Sequence, residues 1–251
     1  MTNTTLAYDN LTPFYHLIFQ DWHSSIERQA SIISRLLPSP EEAGPVLDCA
    51  CGIGTQALGL AALGYEMEGT DISPGEVERA QREAASLGLS VGFRADDMRT
   101  LTTSEPGRYA AVMCMDNSLP HLDSDEEIST ALKAMRTRLK PNGTLLLSLR
   151  DYGKLMLDRP AMMPPAFFQD GVFRRFVHQV WDWTDERRYR FHLYLTFENA
   201  LGWQSHHVTG TYRAITPDEV AALTEKAGFK SVRTVSPDES GYYQPIISAV
   251  A

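Results

Sequence analysis

The sequence predicts an α/β fold: an open sheet of about seven strands with helices on both faces, plus an antiparallel β insertion after the fifth strand. Three observations predict it. From Val46 onward short apolar runs alternate with amphipathic stretches, the pattern of parallel strands joined by helices that pack on the sheet. The starts of those helices are marked by capping residues. About 65 residues ahead of the last helix break the alternation and follow a period of two instead. A chain of 251 residues can bury a sizeable core, and it suits one domain carrying an insertion.

Residues 1–45 read as an N-terminal helical cap segment. A helix is expected over 24–37, with Ile26, Ala30, Ile33 and Leu37 on one face. Ahead of it, Tyr8, Phe14, Tyr15, Phe19 and Trp22 are dense enough either to be core or to close over a bound cofactor. Residues 46–150 read as the ligand-binding core, with strands near 46–50, 66–70, 90–94, 110–115 and 144–149. Ser73-Pro-Gly-Glu76 and Ser124-Asp-Glu-Glu127 each place a capping Ser three residues before a Glu, and Pro74 suits the first helical position.

Residues 151–214 read as the insertion. Phe191, Leu193, Leu195 and Phe197 face one way, and Arg190, His192, Tyr194 and Thr196 the other. Segments 172–183 and 203–214 are similar. At the carboxyl edge of an open α/β sheet such an insertion is either a lid or substrate platform, or an extra sheet that stabilises the fold or joins a homodimer. Residues 215–251 complete the core sheet. Thr216-Pro-Asp-Glu219 opens a helix carrying Val220, Leu223 and Ala227, Gly228 ends it, and strands near 231–235 and 243–250 follow.

Composition narrows the function classes. With 43% hydrophobic and 22% charged residues the chain sits in the globular range. No apolar run approaches the roughly 20 residues that span a bilayer, and the polar start lacks the features of a signal peptide, so a cytoplasmic protein with no membrane partner is expected. A net charge of −9 is unfavourable for binding nucleic acid through phosphates. Cys49, Cys51 and Cys114 read as reduced thiols, and no second Cys/His cluster accompanies Cys49 and Cys51, so no metal is expected.

Val46-Leu-Asp-Cys-Ala-Cys-Gly-Ile-Gly-Thr-Gln56 is a strand that runs into a glycine turn and a helix. Gly52 and Gly54 let the backbone turn tightly and approach a ligand without a Cβ in the way. Gly52-x-Gly54-x-x-Ala57 also satisfies the weak G-x-G-x-x-G/A dinucleotide pattern. Asp48, four residues before Gly52, favours a cationic amino group there over a pyrophosphate. Asp71, ending the next strand, is placed to accept hydrogen bonds from ribose hydroxyls, a feature that nicotinamide sites share.

Together, segment 46–56, Asp71, Ala95-Asp-Asp-Met98 and Leu139-Lys-Pro-Asn-Gly-Thr-Leu145 resemble the class I S-adenosylmethionine-dependent methyltransferases, over about residues 40–250. Met115-Asp-Asn-Ser-Leu-Pro-His121 and Leu149-Arg-Asp-Tyr152 are similar to stretches of glycine and sarcosine N-methyltransferases, with Asp151 standing where that family has Asn. The resemblance implies a Rossmann-like core and S-adenosyl-L-methionine as cofactor. It implies that Gly52 and the backbone near Ala50 meet the methionine part, Asp71 and Ile72 the ribose, Asp97 and Met98 the adenine, and Met115 the region beside the sulfonium. It further implies that Asn117 and Arg150 hold an acceptor carboxylate and that Arg28 contacts the cofactor carboxylate. Tyr8, Tyr15 and Trp22 are implied as cofactor or substrate contacts.

Methyl transfer from a sulfonium is an in-line displacement that needs alignment and a dry site rather than a nucleophilic side chain. A neutral amine acceptor needs no base, whereas a hydroxyl does, and His121 is the nearest candidate. Arg150 is costly to bury without an anion, and its planar fork matches a carboxylate; a salt bridge with Asp151 or another acid is the structural alternative. His206 and His207 should face opposite sides of a strand. The leading expectation is a methyltransferase for a small carboxylate-bearing amine. The competing readings are a nicotinamide-dependent oxidoreductase, which lacks any hydride-transfer set, and a noncatalytic cofactor-binding protein.

Overall fold

In the computed structural model, which describes residues 8–251, the expected open sheet forms from seven strands. They are β1 (Val46–Asp48), β2 (Met67–Asp71), β3 (Val91–Ala95), β4 (Tyr109–Cys114), β5 (Leu139–Ser148), β10 (Lys230–Val235) and β11 (Ile246–Val250), in the order β10-β11-β5-β4-β1-β2-β3. The first seven residues of the expected cap segment, and with them the polar start of the chain, lie outside the described residues. Only β11 runs against its neighbours β5 and β10. Chain order reverses between β1 and β4, and at such a switch point the loops leaving the carboxyl ends part to form a crevice.

The helices are α1 (Trp22–Ile33), α2 (Thr55–Ala62), α3 (Pro74–Ser86), α4 (Asp125–Arg138), α5 (Tyr152–Asp158), α6 (Pro217–Lys226) and the single turn α7 (Pro237–Ser240). Helix α1 starts a little before the expected residue because Asp21 caps it through the Ser24 amide, and a 3₁₀ turn over Ser34–Leu36 takes its place at the far end. Ser73, Ser124 and Thr216 each cap the expected helix, with the full capping box only at Thr216. Gly59 of α2 lets α1 come close, since a Cβ there would lie 2.7 Å from the Ile26 carbonyl oxygen and from the Ala30 Cβ. That approach sets α1 beside the loop after β1. No described helix is long and apolar enough to cross a membrane.

The insertion is a four-stranded antiparallel sheet built from β6 (Met162–Asp170), β7 (Phe173–Trp183), β8 (Arg188–Asn199) and β9 (Gly202–Arg213), paired in chain order. Tyr189, Phe191, Leu193 and Leu195 of β8 are buried, as the period-two reading expects, and His192, Tyr194 and Thr196 alternate with them. Strand β6 was not foreseen. Its Pro164-Pro165 pair lacks donors for a ladder, which is tolerable because β6 is an edge strand whose register slips at that point. Arg175 of β7 is 5% exposed and donates to the carbonyls of Leu17 (3.0 Å), Phe19 (2.7 Å) and Gln20 (2.8 Å), tying the N-terminal segment to this sheet. His206 stacks on Phe14 beneath that segment, while His207 pairs with His192 on the opposite face.

Candidate active site

The carboxyl ends of β5, β4, β1, β2 and β3 open side by side into one cavity of about 920 Å³. Tyr8, Tyr15 and Phe19 of the N-terminal segment and Phe191, Leu193 and Val208 of the antiparallel sheet close it from the other side. The inner face of the insertion thus forms part of the cavity wall.

At the β1 end, Ala50, Gly52 and Thr55 line the wall. Gly52 has φ +52°, a left-handed conformation that favours glycine, and a Cβ there would lie 3.0 Å from the Glu76 carboxylate. Gly54 caps α2 at φ +94° and makes the turn without reaching the cavity. The Gly52 amide donates to Asp71 Oδ2 (2.9 Å) and the Ser73 amide to Oδ1 (2.9 Å). Two amides thus fix the Asp71 carboxylate and leave acceptor positions free, because an ionised carboxylate offers about four. Ile72, Asp97 and Met98 continue the wall. Arg99 grips Asp97 through Nε (3.0 Å) and Nη2 (2.6 Å) and also bonds Glu127 (2.6 Å); burial raises the Asp97 pKa, and this ion pair more than reverses the rise.

Besides Gly54, three residues expected at the cofactor do not line the cavity. Asp48 is wholly buried behind the loop, with neither carboxylate oxygen in hydrogen-bond geometry with a partner. Burial pushes its pKa up to about 8; the nearby Ala50 amide pulls the other way, and Asp116 and Asp71 add to the rise. Met115 is 1% exposed and packs beneath β4. Trp22 donates its indole N–H to Thr55 Oγ1 (2.9 Å) and braces α1 against the loop. Arg28, by contrast, is exposed at the cavity wall.

At the β5 end, Arg150 lines the cavity. Its Nη1 donates to the Tyr189 hydroxyl (2.7 Å), and its guanidinium lies 5.1 Å from the ring centres of both Trp181 and Tyr212. Among the described residues no carboxylate pairs with it, and Asp151 caps α5 instead of bridging to it. Asn117 does not reach the cavity. It is 1% exposed, accepts from the Arg150 amide (3.1 Å) and donates to the Tyr152 hydroxyl (3.0 Å), so it braces the ends of β4 and β5. Its neighbour Asp116 lines the cavity instead.

His121 lies in the 3₁₀ turn Leu119–His121 at the same wall. Its Nδ1 is 3.1 Å from the Thr211 carbonyl, which can only accept, so Nδ1 carries the proton and Nε2 accepts from the Tyr8 hydroxyl (2.8 Å). Burial lowers the His121 pKa to about 4, the Thr211 carbonyl opposes that shift and Arg150 adds to it, leaving a neutral ring at physiological pH. Tyr8 also lies 3.3 Å from the Tyr212 hydroxyl. Tyr15 lines the cavity, and burial, then Glu76 and Asp116, raise its pKa.

Sequence reasoning missed Glu76 and Asp116. In the sequence Glu76 stands out only as part of a cap. The Ser73 side chain does accept from its amide (3.1 Å), but its carboxyl turns inward, is 2% exposed and leaves Oε1 without a partner. A signal was available, because Glu76 precedes buried Ala80 by four residues and so shares the buried face of α3.

A family model described as a methyltransferase domain matches residues 46–143. A glycine/sarcosine N-methyltransferase of Parasynechococcus marenigrum (strain WH8102) is 32% identical over 54% of this chain, a match that spans about half, 48%, of that relative's length. The putative methyltransferase YqeM of Bacillus subtilis (strain 168) is 28% identical over 91% of this chain and 95% of its own. Among solved structures, the S-adenosylmethionine-bound amino pentose methyltransferase CalS10 of Micromonospora echinaspora superposes with a TM-score of 0.71 over 92% of this chain and 91% of that one, at 20% identity. These likenesses agree with the strand order, the glycine loop and the acid after β2: residues 46–143 match a methyltransferase domain, and the chain has the fold of an S-adenosylmethionine-dependent methyltransferase.

Proposed function

We propose that this enzyme methylates the amine nitrogen of a small acceptor that also carries a carboxylate, such as an amino acid. The observation that carries the reading is Arg150, a cation enclosed by Tyr189, Trp181 and Tyr212 with no acid beside it among the described residues. An enclosed cation without an anion is costly, and a guanidinium fork matches a carboxylate in two-point fashion. The glycine/sarcosine specificity in the name of one relative agrees with that chemistry. The acidic overall balance supports a free small molecule rather than a nucleic acid as acceptor.

The cavity suits the cofactor. Glu76 Oε1 is buried in its wall without a partner, Asp71 keeps free acceptor positions, and no side chain stands at Gly52. When bound, S-adenosylmethionine supplies an electrophilic methyl on a sulfonium whose sulfur leaves as a neutral thioether. In this reading Ala50 and Gly52 flank the methionine part, Asp71 and Ile72 hold the ribose, and Asp97 and Met98 receive the adenine. Asp48 and Met115 support the loop and β4 from behind. Asn117 acts as a positioning residue for Arg150.

Arg150 holds the acceptor carboxylate and so orients the amine towards the cofactor wall. Tyr8 and His121 handle the proton. As the nitrogen gains its methyl, an N–H proton passes to the Tyr8 oxygen while the Tyr8 proton moves to His121 Nε2, whose lone pair is free because Nδ1–H is held by Thr211. The aromatic enclosure excludes water from the line of transfer.

A methylation assay with glycine, sarcosine, dimethylglycine, larger amino acids and amino sugars tests this. Turnover of an amino acid but not of its methyl ester is expected. Equal turnover of acid and ester, or turnover of amino sugars alone, would overturn the carboxylate reading.

A further inference from the structure

Asp116 has no part in the scheme above, yet its surroundings are built around it. It and Asn117 both adopt left-handed backbone conformations, φ +56° and φ +68°, which non-glycine residues occupy at a cost. Ser148 holds the pair in place: its Oγ accepts from the Asp116 amide (2.7 Å) and its carbonyl from the Asn117 amide (3.1 Å). The two bonds send neighbouring side chains to opposite sides, Asn117 into the brace under Arg150 and Asp116 to the cavity. There the Asp116 carboxylate accepts from the hydroxyls of Tyr242 and Tyr243 (2.5 Å to the latter) and from Gln56 Nε2 (2.6 Å). Gln56 also bonds Gln29 Oε1 (2.8 Å), so α1, α2 and the segment before β11 all converge on one acid.

Every one of those donors is neutral, and no Lys or Arg among the described residues pairs with Asp116. Burial raises its pKa, and the three donors oppose the rise. Gln56 of α2, backed by Gln29 of α1, reaches it from the glycine-loop side of β4, and Tyr242 and Tyr243 reach it from the segment before β11; none of them shares a hydrogen bond with Arg150, Tyr8 or His121. Arg28 precedes Gln29 on α1 and lines the same cavity. A fixed anion at the end of β4 and a cation on α1, both lining this cavity, complement a zwitterionic α-amino acid group, and the cofactor carries one.

We propose that Asp116, oriented by Tyr242, Tyr243 and Gln56, anchors the α-ammonium group of the cofactor's methionine part. The inference rests on the cofactor assignment and not on the identity of the acceptor. Asp116→Asn tests it, because Asn tolerates the left-handed backbone while removing the charge. Calorimetric titration of the purified protein compares S-adenosylmethionine, S-adenosylhomocysteine and 5′-methylthioadenosine, which keeps the nucleoside but lacks the amino acid group.

The expected result is a loss of about 10- to 100-fold in affinity for the first two ligands, the range of one charge-assisted hydrogen bond, with 5′-methylthioadenosine changed less than about twofold. Tyr243→Phe, which removes one orienting donor, should give a smaller loss of the same selectivity. Unchanged S-adenosylhomocysteine binding overturns the proposal, and so does an equal loss for all three ligands, which would make Asp116 a general structural support. A raised acceptor KM with intact S-adenosylhomocysteine binding would move Asp116 to the acceptor and overturn it too. Wild-type protein that binds none of the three would remove the cofactor assignment itself, whereas failure of the ester comparison alone would leave Asp116 untouched.

Discussion

The two ends of the cavity are made in different ways. The cofactor end is built from short stretches of chain: the loop after β1, the acid after β2 and the Asp97-Met98 pair after β3, each fixed by nearby amides or one ion pair. The proposed acceptor end is assembled from Tyr8, His121, Arg150, Trp181, Tyr189 and Tyr212, which lie far apart in sequence and meet only through tertiary structure. The first kind of site demands little beyond a strand, a turn and a helix. The second depends on where an antiparallel sheet and an N-terminal segment come to rest, so it can change specificity while the cofactor end stays as it is.

Four variants at three positions would break or sharpen this division. The largest effect is expected for Arg150→Ala, which should raise the acceptor KM by about 100-fold, in the range of a lost charge-assisted pair, while leaving S-adenosylhomocysteine affinity within about twofold. Steady-state kinetics and calorimetry together check it, and an equal loss on both sides would mean that the two ends are not separable. Arg150→Lys should recover only part of the loss, because an ammonium lacks the planar fork.

A middle effect is expected for His121→Asn, which should lower kcat by about 10-fold or more, within the range of general acid–base contributions. The sign with pH follows from a His121 pKa of about 4: the ring is neutral and able to accept a proton above that value, and it loses this ability as pH falls through it. The variant should therefore differ most from wild type around neutral pH and least near the His121 pKa of about 4, in kcat measured across that range. A constant deficit at every pH would assign His121 to packing alone.

The smallest effect belongs to the cofactor end. Asp48 has a folded pKa of about 8, against roughly 3.9 when unfolded. The folded, cofactor-free protein therefore binds the extra proton between those values, and stability falls as pH rises through that window. Asp48→Asn cannot ionise and removes the slope. Its melting temperature should match wild type at the acidic end of the window and exceed it by about 3 °C or more at the alkaline end. A wild-type melting temperature that rises across the window relative to the variant would contradict the buried, proton-holding state of Asp48.

The cofactor end was also the legible end. Buried parallel strands appear as apolar runs, so β1 to β5 emerged close to their positions, and Asp71 followed from its place at the end of β2. Trp22 was harder, because aromatic density does not say whether a ring covers a ligand or, as here, braces a loop through Thr55. Between Asp116 and Asn117 the sequence offers no basis for choosing which one faces the cavity. The choice is made by two left-handed residues held by Ser148, a strand away. At the acceptor end, the Arg150 motif was visible, but its lack of an acidic partner and its aromatic enclosure exist only in three dimensions.

Arg175 gathers the carbonyls of Leu17, Phe19 and Gln20 into one guanidinium, and those residues adjoin the tyrosines that close the cavity. For those three carbonyls the fastening is a single knot, set beside the stacking of Phe14 on His206. Loss of that one side chain would release all three attachments together, whereas loss of any neighbouring apolar contact would leave them tied. The hold on this wall can thus be weakened at a residue that does not itself line the cavity, apart from the groups proposed to act on the acceptor.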